Sequence, residues 1–231
     1  MTESNAVLAE KLVTAWRFFY GRGYVDGFGH ISARTADPGR ILMTPHSLGL
    51  DAGPGDFVVV DLDGKQYGSD ASLPSEIPIH LEIYRTRPDV GSVAHFHCHH
   101  ATSFSMSEAN LAPTYFLASI FRDGIPIHPD SRLIRTRERG EALAKTLGPH
   151  RAALMRAHGI VVTGPDIEEM TAGVFIMEDN ARRTWIAAAM GAFDTLTESE
   201  MAENEKEILS SRGPIRRIWA LCAAEAAASR G

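Results

Sequence analysis

The sequence predicts an α/β fold in a single domain spanning residues 1–231. Three observations carry this: helix-period and strand-like stretches alternate, clusters of Pro, Gly and Asp separate them, and no repeat or break in composition divides the chain. Ser4 is a natural N-cap for "AVLAEKLVTAWRFFYGRG", whose apolar residues recur at helical spacing and stop at Gly21 and Gly23. "GHISAR", "RILMTP" and "DFVVVDLDG" follow as three short strands that read as neighbours. Pro74 and Ser75 introduce "EIPIHLEIYRTRPD", a helix with Ile77, His80, Leu81 and Tyr84 on one face and Pro88 at its end, and "GSVAHFHC" is a strand. A second helix-to-strand passage runs from "TRERGEALAKTLG" into "AALMRAHGIVVTG", read as one apolar strand interrupted by His158 and Gly159. A long helix starts at Pro165-Asp166 with acids in its first turn, and a helical tail from about residue 198 closes the chain.

Composition narrows the function. A hydrophobic fraction of 44% furnishes a core, and no run reaches the roughly 20 apolar residues that span a bilayer. "MTESNAVLAEKLV" lacks the features of a signal peptide, and Cys98 and Cys222 lie far apart, so the expected setting is the reducing cytoplasm, without membrane or disulfides. A net charge of -6 with interspersed signs argues against a nucleic-acid partner and for a small-molecule substrate.

The chemistry concentrates in "GSVAHFHCHH". On a strand, residues two apart share a face, so His95 and His97 project together while Phe96 turns to the opposite side. Imidazole nitrogens bind zinc and similar ions at about 2.0 to 2.1 Å, and a catalytic site takes three protein ligands and leaves a position open. His158 is the candidate third ligand, beside Gly159, whose missing side chain permits close approach. Cys98, His99 and His100 lie where the strand ends and are expected not to coordinate. His30, His46, His80, His128 and His150 have no spacing that separates function from structure. Glu76 opens the helix that leads into the histidine strand, either as a first-turn acid favoured by the helix dipole or as a general acid or base beside a metal.

Taken in order, "GFGHISAR", "ILMTPHSLGL", "VVVDLDGK", "LPSEIPIHLEIYRTRPDVGSVAHFHCHHAT" and "ALMRAHGIVVTG" resemble the class II aldolase and adducin head family over about residues 6–191. The resemblance implies a three-layer α-β-α fold around a mostly antiparallel central sheet, which revises the strand direction that local alternation suggests, and a homotetramer with active sites at subunit interfaces. It further implies one divalent ion per subunit on His95, His97 and His158, zinc first, with manganese, cobalt or iron in some branches. Glu76 matches the acid/base glutamate, and Tyr115 in "APTYFLAS" falls where sugar-phosphate aldolases carry a proton-donating tyrosine supplied by a neighbouring subunit.

The departures choose the reaction. Where phosphate-binding members resemble one another in small amide and hydroxyl donors, this chain has Gly29-His30-Ile31-Ser32, His46-Ser47 and Pro74-Ser75. Imidazoles in place of compact donors disfavour a phosphate. The G-H-x-S form is similar to the branch containing decarboxylases of hydroxylated aromatic or pyridine dicarboxylates. The expected substrate-binding residues are therefore His30, Ser32, His46, Ser47 and Ser75, and the expected reaction is decarboxylation through a metal-stabilised enolate. Aldol cleavage of a non-phosphorylated or sugar-derived hydroxy-carbonyl compound is the enzymatic alternative. A non-catalytic adducin-like module is the alternative of another class, and the retained Glu76 and histidines argue against it.

Overall fold

The computed structural model describes residues 3–228, so the first two and last three residues of the expected domain lie outside the described residues. The strands are β1 (His30–Arg34), β2 (Arg40–Met43), β3 (Val58–Asp61), β4 (Gln66–Tyr67), β5 (Ser92–Phe96), β6 (Ile127–His128), β7 (Ala152–Met155) and β8 (Gly159–Gly164). They form one sheet in the order β4-β3-β2-β1-β5-β8-β7-β6. Every neighbouring pair is antiparallel except β6 with β7. Short turns at 35–39 and 62–65 join β1 to β2 and β3 to β4, and a longer loop, 44–57, joins β2 to β3, completing an antiparallel meander.

The helices are α1 (Asn5–Gly21), α2 (Pro78–Thr86), α3 (His99–Phe104), α4 (Arg137–Leu147), α5 (Ile167–Met190), α6 (Glu198–Ser211) and α7 (Gly213–Ala228). Strand pleating divides the core into two. On one face Ile31, Ala33, Ala94, Phe96, Ile160 and Val162 pack under α1, α5 and α7. On the other, Ile41, Met43, Val58, Val60, Val93 and Val161 pack under α2 and α4. Phe96 is fully buried on the first face against Trp16 and Phe19, and His95, one residue earlier, faces the second. The tail folds back: Ile215, Ile218 and Cys222 of α7 are buried in the first core beside α1.

Ser4 caps α1, Thr136 caps α4 and Asp166 caps α5, each side chain accepting a backbone N–H of the first turn. Two local readings change. The run 152–164 is not one interrupted strand but a hairpin, because Ala157 adopts a left-handed backbone (φ 53°) and His158 sits in the turn ahead of β8. The helix after Pro74 begins at Pro78 with Ile77 as its cap, so Glu76 lies ahead of the first turn and its carboxylate is engaged elsewhere. The two-residue strands β4 and β6 and the short helix α3 carry too few residues for a periodic signal. No helix among the described residues is long and apolar enough to cross a membrane.

Candidate active site

His95 sits near the C-terminal end of β5 and His97 one residue past it, and His158 reaches them from the turn before β8, the next strand in the sheet. One ring nitrogen from each of the three lies within 4.8 Å of the others. The close approach expected at Gly159 is present: a Cβ there would stand 2.5 Å from the Phe96 carbonyl oxygen and 2.9 Å from the His97 ring. The His95 ring is fixed from behind, and His97 has an acid behind it. His95 Nδ1 donates to the carbonyl of Ile160 at 2.9 Å, and His97 Nδ1 faces the Asp26 carboxylate at 3.8 Å. Among the described residues, Nε2 of His95 and His97 and both ring nitrogens of His158 are buried without a hydrogen-bond partner.

Buried nitrogens without partners are costly, and a cluster of them aimed at one point is what a cation with nitrogen preference satisfies. Burial, first, and the neighbouring imidazoles hold His95 and His97 below the usual histidine range, which keeps them neutral as ligation requires. The Ile160 carbonyl behind His95 Nδ1 selects the tautomer that presents Nε2. The residues present therefore fit a divalent ion.

Glu76 completes the cluster from the α2 side. Its Oε1 accepts the backbone N–H of Ile134 at 2.7 Å, and its Oε2 lies 3.5 Å from His158 Nε2 and 3.8 Å from His95 Nε2. Burial pushes this carboxyl up, but His158, His95 and the Ile134 N–H together prevail and bring it down to about 2. His30, Glu76 and His95 also form a close trio.

A cavity of about 110 Å³ opens over this cluster, lined among others by Phe28, His30, His46, Ser47, Ser75 and Glu76. Five of the sequence-selected residues, His30, His46, Ser47, Ser75 and Glu76, thus meet in one pocket with His97. Ser32 does not reach it: the side chain is fully buried, bonded to His80 and Tyr84 beneath the pocket. The pleat explains this, since Ser32 follows His30 one period deeper along β1. Tyr115 is also apart from the histidines of its own chain; its ring lies under the Arg183 guanidinium at 4.7 Å, beside Asp179 and Phe116, and burial pushes its phenol well above the usual value. Cys98 lies in the opposite core, and His100 is bonded to Glu178 at 2.7 Å. Sequence reasoning missed Asp26 behind His97, the Ile134 N–H on Glu76, and the pairing of His80 with His30; of these only His80, on the buried face of α2 with Tyr84 at i+4, left a trace in the spacing.

Comparison with known proteins places the fold and the family. The chain is 27% identical, over 87% of each sequence, to the 3,4-dihydroxyphthalate decarboxylase of Arthrobacter keyseri. It is 31% identical to the 3-oxo-tetronate 4-phosphate decarboxylase of Haemophilus influenzae, over 75% of this chain and 84% of that one. Its fold superposes on an aldolase II superfamily protein from Pseudomonas syringae with a TM-score of 0.86 at 21% identity, covering 99% of this chain and 95% of the other. With the L-fuculose 1-phosphate aldolase of Glaciozyma antarctica the TM-score is 0.83 at 21% identity, over 94% and 89% of the two chains. The family model described as "Class II Aldolase and Adducin N-terminal domain" matches residues 10–185, and the chain belongs to that family.

Proposed function

We propose that the protein is a divalent-metal-dependent carbon–carbon lyase that decarboxylates a hydroxylated aromatic or pyridine dicarboxylate. The observation that carries this is the convergence of the unpartnered nitrogens of His95, His97 and His158 with the Glu76 carboxylate below a pocket lined by His30, His46, Ser47 and Ser75. A bound divalent ion, with zinc favoured, supplies Lewis-acid stabilisation of negative charge developing on substrate oxygens.

Glu76 is ionised at neutral pH. Its position beside His95 and His158, rather than its basicity, gives it the role of taking the proton of an ortho hydroxyl and returning it to the ring carbon bearing the carboxylate. Loss of carbon dioxide then leaves the bond's electron pair on the ring, which delocalises it onto the hydroxyl oxygen and regains aromaticity. Phe28, 67% exposed at the rim with its ring 5.8 Å from that of His97, offers a flat ring an aromatic face. His46, Ser47 and Ser75 offer donors to a second carboxylate.

The similarity to an oxo-tetronate phosphate decarboxylase favours a second substrate class with the same bond cleaved. Incubation with 3,4-dihydroxyphthalate, with 3-oxo-tetronate 4-phosphate and with hydroxy-carbonyl sugars separates these readings. Carbon dioxide from the first supports the proposal, carbon dioxide from the second alone moves the substrate class, and aldehyde without carbon dioxide replaces decarboxylase by aldolase. We also propose a homotetramer, since Trp185, Ile186 and Met190 leave an apolar strip exposed at the end of α5, with Met190 84% exposed; a monomeric mass in light scattering contradicts it.

A further inference from the structure

Four polar side chains run in series from the pocket into the layer between β1 and α2. His30 Nδ1 lies 2.7 Å from His80 Nε2, His80 Nδ1 lies 2.7 Å from Ser32 Oγ, and Ser32 Oγ lies 2.9 Å from Tyr84 Oη. All four are buried; His80 and Ser32 have no exposed surface. Ile79, Ile83 and Val93 belong to the core around them, so each hydrogen in the series must find its acceptor within it.

That requirement sets the direction of every bond. Ser32 Oγ is the hydrogen-bond partner of the buried Tyr84 phenol among the described residues, so it is the acceptor for the phenol's proton. Ser32 Oγ, having accepted from Tyr84, gives its proton to His80 Nδ1. A neutral imidazole with a bare Nδ1 carries its proton on Nε2, so His80 donates to His30 Nδ1. His30, with Nδ1 accepting, carries its own proton on Nε2, the nitrogen left to the pocket the residue lines. The reverse direction would strand the Tyr84 proton in an apolar layer. Burial drives His80 down to about 3, so its neutral form holds through the physiological range. Arg34, its guanidinium 4.7 Å from the Tyr84 ring centre and donating to the Tyr84 carbonyl at 2.9 Å, fixes the far end.

We infer that Tyr84, Ser32 and His80 are positioning residues that lock His30 in its Nε2–H tautomer, so that His30 meets the substrate as a hydrogen-bond donor to an oxyanion and not as a base or metal ligand. The identity of that oxyanion as a substrate carboxylate rests on the decarboxylase reading; the tautomer is a property of the protein alone. Such a donor explains a histidine at position 30: an imidazole N–H at the end of a buried series recognises a carboxylate with a fixed polarity that a freely rotating hydroxyl lacks.

Imidazole nitrogen NMR of ring-labelled, zinc-loaded protein tests this, with His30 and His80 signals assigned by their loss in His30→Asn and His80→Gln. Both rings are expected as Nε2–H tautomers, and Ser32→Ala is expected to give His80 and His30 a detectable Nδ1–H population. His30 protonated at Nδ1 in the native protein overturns the inference. In turnover of 3,4-dihydroxyphthalate, His80→Phe is expected to raise KM about tenfold or more with a smaller change in kcat. His80→Gln, whose amide N–H can replace Nε2–H as donor to His30, is expected to restore most of it; equal KM values for the two variants contradict the relay. An Nε2–H His30 in a protein that releases no carbon dioxide supports the relay and sinks the substrate reading, whereas turnover with His30 in the Nδ1–H form does the opposite.

Discussion

Glu76 is the residue on which opposing effects meet most sharply: burial favours its neutral form, while two imidazoles and the Ile134 N–H favour its charge and win. Glu76→Gln keeps the side chain's size and an oxygen for Ile134 but removes the proposed proton carrier. It is expected to lower kcat by about a hundredfold to ten-thousandfold while leaving bound metal near one ion per chain, read by steady-state kinetics beside elemental analysis. Loss of the metal as well would make Glu76 a ligand. Gly159→Ala tests the ligand cluster by a different route. Its Cβ would press on the Phe96 carbonyl, the His97 ring and His95 Cε1, the last at 3.2 Å, so metal affinity should fall. An unchanged affinity by titration calorimetry would mean that the turn relaxes at no cost to the site. His95, His97 and His158 were legible in the sequence because strand periodicity puts two imidazoles on one face and the third sits beside a glycine; Ser32 was misplaced because a serine one period beyond a pocket histidine looks the same in sequence whether it opens to the pocket or points beneath it.

At the scale of elements, the layer between α2 and the sheet buries groups that respond to acid. Burial brings His80 from an ordinary 6.5 down to about 3, whereas Glu76 goes from 4.5 to about 2 against its burial, through His158, His95 and the Ile134 N–H. Between each pair of values the unfolded chain binds a proton that the native chain does not, so stability declines as pH falls, first through the histidine window and then through the carboxylate window. The thermal midpoint is therefore expected to drop between about pH 7 and pH 5, and His80→Gln, which does not titrate, should shrink that drop; an unchanged slope in the variant would assign it to other groups. The elements themselves were readable where caps and periodicity agree, as at Ser4, Thr136 and Asp166. They were not where a fold decision depends on a single backbone angle: the left-handed Ala157 turns one apolar run into two antiparallel strands, and nothing in "AALMRAHGIVVTG" states that angle.

For the whole molecule, the tail is part of the core. Ile215 and Cys222 of α7 are fully buried and Ile218 nearly so, so truncation before residue 198 should expose the apolar face of α1 and yield aggregated or unfolded protein; a soluble, cooperatively folding fragment would contradict a single domain. The layer order came from the family resemblance rather than from local patterns, because strand direction is set by which strands become neighbours, a long-range property that alternation does not encode. The measurement that bears most directly on the proposed metal-dependent decarboxylation is carbon dioxide release from 3,4-dihydroxyphthalate by chelator-stripped protein, before and after zinc, manganese, cobalt or iron(II) is restored. The expected result is no release from the stripped protein, recovery with at least one of these ions, and no recovery in His158→Ala; release that is indifferent to the chelator, or no release with any ion, would contradict the account.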